Sequence, residues 1–251
     1  MQPGIAVIGA RRRSMLAGAA LLLTAVLAQP VQAQSLDRQI DELTLRVQRL
    51  EGNRAIKKLQ RAFAYYVDRG LWSQAADLFA DEGTVEIGLD GVYVGRPRIE
   101  EYLRRLHARD TPEGQEGLIY GQLNEWVTLQ PAIDVADDGR SATARWRDNG
   151  MLGQYKSHAE WRDGIYENTY EKGPDGLWRI RSLHLYVNFV APFAEGWARL
   201  GPGEGLAASE AARAFPPDRP PSVTYKPFPA VQTPPFQAPN PVTGRRVGGS
   251  L

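Results

Sequence analysis

Apolar side chains recur at intervals of four and three along residues 34–52. The five positions are Leu36, Ile40, Leu43, Val47 and Leu50. This spacing is a heptad seam with β-branched residues at the a positions and leucine at the d positions. Gly52 is expected to end this helix. Two alternatives follow for residues 34–52: an oligomerisation helix, or a helix that lies on its own domain.

Residues 53–200 have helical spacing first and strand alternation afterwards. A helix is expected from Arg54 to Arg69, a short one from Leu71 through Trp72 to Phe79, and a third from Arg98 to His107. The predicted strands are 84–87, 92–94, 119–135, 141–154, 156–172 and 178–190, with tight turns such as Asp90-Gly91 between them. The order predicts one α+β domain, in which three N-terminal helices pack on a strongly curved, mainly antiparallel sheet that encloses a pocket.

The two ends of the chain differ from this domain. Arg12 and Arg13 precede an apolar run of export-signal length, and Ala33 closes a small-x-small cleavage site. Residues 1–33 are therefore expected to be a twin-arginine-like signal peptide, and the protein is expected to be periplasmic.

Residues 201–251 hold 11 of the 18 prolines. Proline excludes helices and central strands there. The segment is either a disordered or polyproline-like tail or an ordered arm that docks its aromatics on a neighbouring subunit, and we favour the arm. Those aromatics are Phe215, Tyr225, Phe228 and Phe236.

Composition removes several classes of function. With 30 Lys+Arg against 29 Asp+Glu, the chain lacks the basic excess of a nucleic-acid binder, and it holds no cysteine and only three histidines. Thiol chemistry is therefore excluded, and a histidine metal site is not supported. General acid–base catalysis by side chains alone is the natural remaining chemistry.

Five stretches in this order resemble the SnoaL-like branch of the NTF2-like superfamily over residues 53–200. They are Tyr66-Val67-Asp68-Arg69-Gly70-Leu71-Trp72, Tyr93-Val94-Gly95-Arg96, Asp138-Gly139-Arg140-Ser141-Ala142-Thr143-Ala144, Gly164-Ile165-Tyr166-Glu167-Asn168 and Asp175-Gly176-Leu177-Trp178-Arg179-Ile180. The resemblance implies a cone-shaped α+β fold, a substrate held in the cone and enzymes that work without a cofactor. This fold hosts dehydratases, isomerases, epoxide hydrolases, lyases and non-catalytic binders.

The candidate catalytic residues are His184, Asp68 and Tyr66. The pKa of histidine suits proton transfer near neutrality. Asp68 ends the first helix, where a carboxylate is unfavourable for the helix dipole. In relatives that resemble scytalone dehydratase a Tyr-Asp pair ends this helix; Val67 precedes Asp68 here, so Tyr66 is expected to replace the tyrosine.

Strand alternation places His184 on one face with Tyr186 and Asn188, and a bulge near Ser182 would reverse that face. The expected substrate-binding residues are Tyr120, Tyr166, Asn168, Tyr186, Asn188 and Arg147. Both His107 and His158 are expected at the surface.

A pocket rich in tyrosine and tryptophan favours a phenolic substrate. Within the family, the sequence resembles the sphingomonad lyases that act on lignin-derived diarylpropane diols, which implies release of formaldehyde and formation of a stilbene. The alternatives are a dehydratase or isomerase acting on a polyketide-like or steroid-like ring, and a non-catalytic ligand-binding or oligomerisation module. We expect a small aromatic substrate, no cofactor, no metal, no nucleic acid, no membrane, and a homodimer or homotrimer.

Overall fold

The structure is a computed structural model, and it describes residues 36–107, 115–201, 208–230 and 238–245. The expected signal peptide and Phe236 lie outside the described residues. The elements in chain order are α1 (Leu36–Asp68), α2 (Trp72–Ala76), β1 (Phe79–Ile87), β2 (Val92–Val94), α3 (Arg96–His107), β3 (Gln122–Val135), β4 (Ser141–Gln154), β5 (His158–Lys172), β6 (Trp178–Pro192), a 3-10 turn (Trp197–Arg199) and α4 (Glu210–Ala214).

One sheet carries all six strands, in the order β2-β1-β6-β5-β4-β3. The β1–β6 pair is parallel and the other four pairs are antiparallel. With α1 to α3 packed on this mixed, curved sheet, the predicted α+β cone is confirmed. Phe79 was expected in the second helix, but it begins β1, where it pairs with Ile180 of β6.

Helix α1 is continuous through Gly52, so the predicted helix end at this glycine is wrong. A Cβ at Gly52 would lie 3.1 Å from Cζ2 of Trp178 and 3.5 Å from Cγ1 of Val135. The glycine therefore lets α1 approach the sheet closely, which offsets its helix-propensity cost of about 1 kcal/mol. The apolar seam of residues 36–50 stays exposed. The opposite face of the same helix contacts the domain through Gln48, Arg49 and Gly52.

The core fills the space between the helices and the concave face of the sheet. Its largest fully buried side chains are aromatic or long aliphatic: Trp72, Trp126, Trp146, Tyr93, Tyr102, Tyr166, Tyr170, Phe63, Phe79, Ile56, Ile99 and Leu103. Phe63 meets Phe79 and Trp126 edge to face, with ring centroids 5.9 Å and 6.4 Å apart. Such contacts hold α1 against both β1 and β3.

The described parts of the proline-rich segment are ordered on their own domain. Phe215 stacks on Tyr93, with ring centroids 5.7 Å apart, and Tyr225 is 4% exposed with its hydroxyl 2.8 Å from the Val187 amide nitrogen. Phe228 contacts Phe189 at 6.1 Å. Within the described residues, these three aromatics therefore contact their own subunit. The exclusion of helices was also wrong, because α4 forms in a proline-free stretch.

Strand β6 contains the bulge that the sequence left open. Ile180 pairs with Tyr170 and Ser182 with the adjacent Thr169, so β6 has an extra residue at this point. The faces of β6 are reversed beyond it. Leu183 and Leu185 enter the core, and His184 lies on the outer, convex face.

None of the helices in the described ranges is both long and apolar enough to cross a membrane.

Candidate active site

Asp68, the last residue of α1, lies against the edge of β3. It is 9% exposed, and its Oδ1 accepts a hydrogen bond from the Trp126 amide at 2.5 Å. Asn124 fixes the same helix end, because its Nδ2 donates to the Val67 carbonyl at 2.7 Å. Burial raises the pKa of Asp68 to about 6, although the Trp126 hydrogen bond lowers it. The carboxyl is therefore ionised at neutral pH and basic enough to accept a proton.

His107, the last residue of α3, lies between two tryptophans. Its ring stacks on Trp72 at 5.9 Å and meets Trp126 edge-on, with centroids 4.7 Å apart and planes at 90°. The expectation that His107 lies at the surface is wrong. The missed signal is its spacing of four from Leu103 and eight from Ile99, which continues the buried face of α3.

Arg162 lies over the Trp126 ring and forms an ion pair with a buried carboxylate. Its guanidinium lies 3.6 Å from the centroid of the Trp126 ring and forms an ion pair with Asp148, with Nε 2.8 Å from Oδ2. Both partners are buried, and Gly150 leaves the space that the guanidinium occupies. Tyr166 is fully buried in this region, and burial together with the Asp148 charge raises its pKa well above its usual range.

A cavity of about 60 Å³ opens beside His107 and Asn124. Its lining mixes apolar and polar side chains: Leu106, His107, Ile119, Gln122, Leu123, Asn124, Leu152, Gly153, Gln154, His158 and Glu160. Gln122 connects this side of the cavity to α3, because Nε2 of Gln122 donates a hydrogen bond to the His107 carbonyl at 2.8 Å. Since a cavity of about 150 Å³ binds benzene, this space is too small to enclose a whole aromatic ring.

His184 lies on the convex face of the sheet, so it and Asp68 cannot contact one substrate in the cone. Its Nδ1 is 3.5 Å from Oε2 of Glu86, and its ring stacks on Tyr186 at 3.9 Å. Burial lowers the pKa of His184 to about 4, so the imidazole is neutral at pH 7. Ser222 of the C-terminal segment covers this side, with its Oγ 2.5 Å from Oε2 of Glu86.

Three further predicted residues share the convex face. Tyr186 contacts Tyr225, with centroids 5.2 Å apart. Asn188 donates to Asp163 at 2.6 Å, and Arg147 lies 3.6 Å from the same carboxylate. The structure thus brings His184 and Tyr186 together, but on the wrong side of the sheet for a substrate in the cone.

The other predicted residues lie at separate places. Tyr120 is 88% exposed, because it precedes β3 and turns outward against Tyr155. Asn168 faces the interior with Tyr166, as predicted, but its Nδ2 donates a hydrogen bond to Oε1 of Gln60 at 3.0 Å. Tyr66 is partly buried against the core. Of the predicted catalytic set, Asp68 alone lies beside the His107–Trp126 pair. No three His, Asp or Glu side chains within the described residues form a group that could hold a metal.

The chain belongs to the SnoaL-like domain family, whose sequence pattern matches residues 48–184. This match confirms the family expected from the sequence. No curated protein matches the chain.

Solved structures with similar folds come from several bacteria. A protein assigned as a scytalone dehydratase from Novosphingobium aromaticivorans is 19% identical, with 57% of this chain and 89% of that chain covered and a TM-score of 0.48. A hexachlorocyclohexane dehydrochlorinase, LinA-type3 from Novosphingobium barchaimii, is 16% identical, with 59% and 94% covered and a TM-score of 0.47. A Mycobacterium tuberculosis protein of unknown function is 21% identical, with 72% and 88% covered and a TM-score of 0.45.

Proposed function

We propose that the protein is a cofactor-independent lyase that acts on a phenolic substrate by general acid–base catalysis at the mouth of the cone. One observation carries the proposal: a carboxyl with a pKa of about 6, Asp68, and an imidazole, His107, meet the same Trp126 residue. A carboxyl and an imidazole are the side chains that most often act as general acid and base, and one of each is the minimum equipment for an elimination. The polar lining from Asn124 and Gln122 also favours an enzyme over a simple apolar ligand cup.

The specific reaction that we propose is deformylation of a lignin-derived diarylpropane diol. The benzylic hydroxyl accepts a proton and leaves as water, while the para-phenol supplies electrons and becomes a quinone methide. A base then removes the proton of the terminal CH2OH group. Its C–O bond becomes the carbonyl of formaldehyde, the carbon–carbon bond breaks, and the electron pair restores the aromatic ring. The products are a stilbene, formaldehyde and water.

His107 and Asp68 divide the proton transfers in this proposal. The reacting three-carbon chain fits the cavity beside His107, and the rings lie over the apolar rim of Leu106, Ile119 and Leu123. The buried Arg162–Asp148 ion pair holds the guanidinium against the Trp126 ring and so fixes the position of that ring in the site. The predicted signal peptide would place this reaction in the periplasm.

The test is a cofactor-free assay in which stilbene absorbance and formaldehyde are followed together. Equal amounts of both products support deformylation; a new alkene without formaldehyde would replace it with dehydration. His107→Gln is expected to lower kcat by about 10²–10⁴-fold, the usual share of general acid–base catalysis. His184→Gln is the matched control, because this histidine lies on the convex face. If His184→Gln abolished turnover while His107→Gln left kcat unchanged, the proposed site would be refuted.

A further inference from the structure

The N-terminal half of α1 presents an apolar seam that its own domain leaves uncovered. Five side chains form this seam: Leu36 (71% exposed), Ile40 (52%), Leu43 (59%), Val47 (51%) and Leu50 (67%). Single exposed apolar residues are ordinary, but a continuous stripe of five on one helix face marks an interaction surface.

The seam lies opposite the face of α1 that contacts the domain. Oε1 of Gln48 lies close to Gly139, where a Cβ would be 3.2 Å from it, and Arg49 forms an ion pair with Asp137. Gly52 packs on Trp178. At 3.6 residues per turn, the direction of these contacts and that of the seam differ by roughly 170°. A partner helix on the seam would therefore meet no obstruction from the domain, which would lie on its outer side.

Residue types along the seam specify the partner. We propose that a second copy of this chain pairs here as a parallel, in-register two-stranded coiled coil. Isoleucine and valine occupy the a positions and leucine the d positions, the combination that favours parallel dimers. The proposal is independent of the proposed catalytic function.

Flanking charges agree with the parallel orientation. Arg46 occupies a g position and Glu51 the following e position, so each would pair with its opposite charge on the other helix. An antiparallel arrangement would instead bring Asp37 close to Glu51 of the other copy, which are like charges. Both Arg46 and Glu51 are exposed and available for such pairs.

The same face turns basic immediately after the seam. Its next positions are Arg54, Lys57, Lys58 and Arg61. Like charges facing each other would separate the two helices there, where α1 begins to bury its other side in the domain at Gly52 and Ile56. The paired region is therefore confined to residues 36–50, and the two domains diverge beyond it.

The first test is the mass of the purified protein in sedimentation equilibrium over a range of concentrations. The wild type is expected to be dimeric, and Ile40→Glu/Val47→Glu is expected to be monomeric with an unchanged circular dichroism spectrum. Leu45→Glu is the matched control on the same helix, off the seam, and is expected to remain dimeric. A monomeric wild type, or a dimer that survives Ile40→Glu/Val47→Glu, would overturn the proposal.

Three further variants test the orientation of the paired helices. The chain has no cysteine, so Leu50→Cys introduces the only thiol. Equivalent d positions meet in a parallel, in-register pair, and this variant should therefore form a covalent dimer on mild oxidation. Arg46→Glu should weaken the dimer at low salt, and Arg46→Glu/Glu51→Lys should restore it. Failure of both the cross-link and the charge reversal would exclude the parallel arrangement.

Discussion

Asp68→Asn separates the catalytic use of this carboxyl from its effect on stability. Burial raises the pKa of Asp68 from 3.8 to about 6, and the residue is 9% exposed. The folded state thus holds the proton more tightly than the unfolded chain does. A difference of roughly two pKa units corresponds to about 3 kcal/mol of unfolding free energy, as an upper limit.

The sign follows from proton linkage. Between about pH 4 and pH 6 the folded protein binds more protons at Asp68 than the unfolded chain, so the contribution of this residue to stability falls as pH rises. The contribution of Asp68 to the free energy of unfolding is therefore most favourable below pH 4 and least favourable above about pH 7. Asparagine resembles the protonated acid and can still accept the Trp126 amide hydrogen through its Oδ1. The variant is therefore expected to be more stable than the wild type at pH 8 and no more stable at pH 4.

Urea denaturation at pH 4, 6 and 8 measures this difference directly. We expect Asp68→Asn to gain about 2–3 kcal/mol at pH 8, or about 4–12 °C in Tm for a chain of this size. In the proposed enzyme the same variant is expected to lose at least 100-fold in kcat. If Asp68→Asn is destabilised at pH 8, the carboxylate charge stabilises the edge of β3, and the reasoning from burial is refuted. Retained turnover would make Asp68 a structural residue.

Three more variants test packing by denaturant unfolding, two at the Arg162–Asp148 ion pair and one at Gly52. Arg162→Met leaves Asp148 charged and fully buried, so it should cost about 3–5 kcal/mol, and Arg162→Met/Asp148→Leu should recover most of this loss; equal losses in the single and double variants would contradict the ion pair. Gly52→Leu places a side chain where a Cβ is already 3.1 Å from Trp178, so it should cost about 1–3 kcal/mol. An unchanged midpoint in Gly52→Leu would mean that α1 does not approach the sheet as closely as the structure indicates.

The elements of the fold could be predicted from local patterns because their periodicity is strong. Strand β4 occupies the predicted residues 141–154, and α3 and β6 begin within two residues of the predictions. Boundaries set by packing were missed. Gly52 was predicted to end a helix, since glycine usually does, but here it makes room for Trp178. The sequence shows that the residue is glycine, but it does not show that Trp178 packs too closely to leave room for a side chain at this position.

The candidate site was predicted in part. Asp68 was identified from its unusual place at a helix C-terminus, and the structure places it against Trp126, which His107 also contacts. His184 was assigned to the cone by simple alternation, which the bulge at Ile180–Ser182 reverses. His107 was missed because a helix-terminal histidine was expected to be solvated, although its spacing from Leu103 indicated burial.

The sequence by itself determined the order of elements, the family, and the heptad seam of α1, because these depend on residues close together in the chain. Tertiary structure decided which face of β6 enters the core, because one extra residue in a strand inverts the side chains that follow it until the next bulge. It also decided that His107 meets Trp126, because α3 and β3 are brought together by packing. Finally, it left the seam of residues 36–50 exposed, because α1 uses its opposite face to contact the sheet.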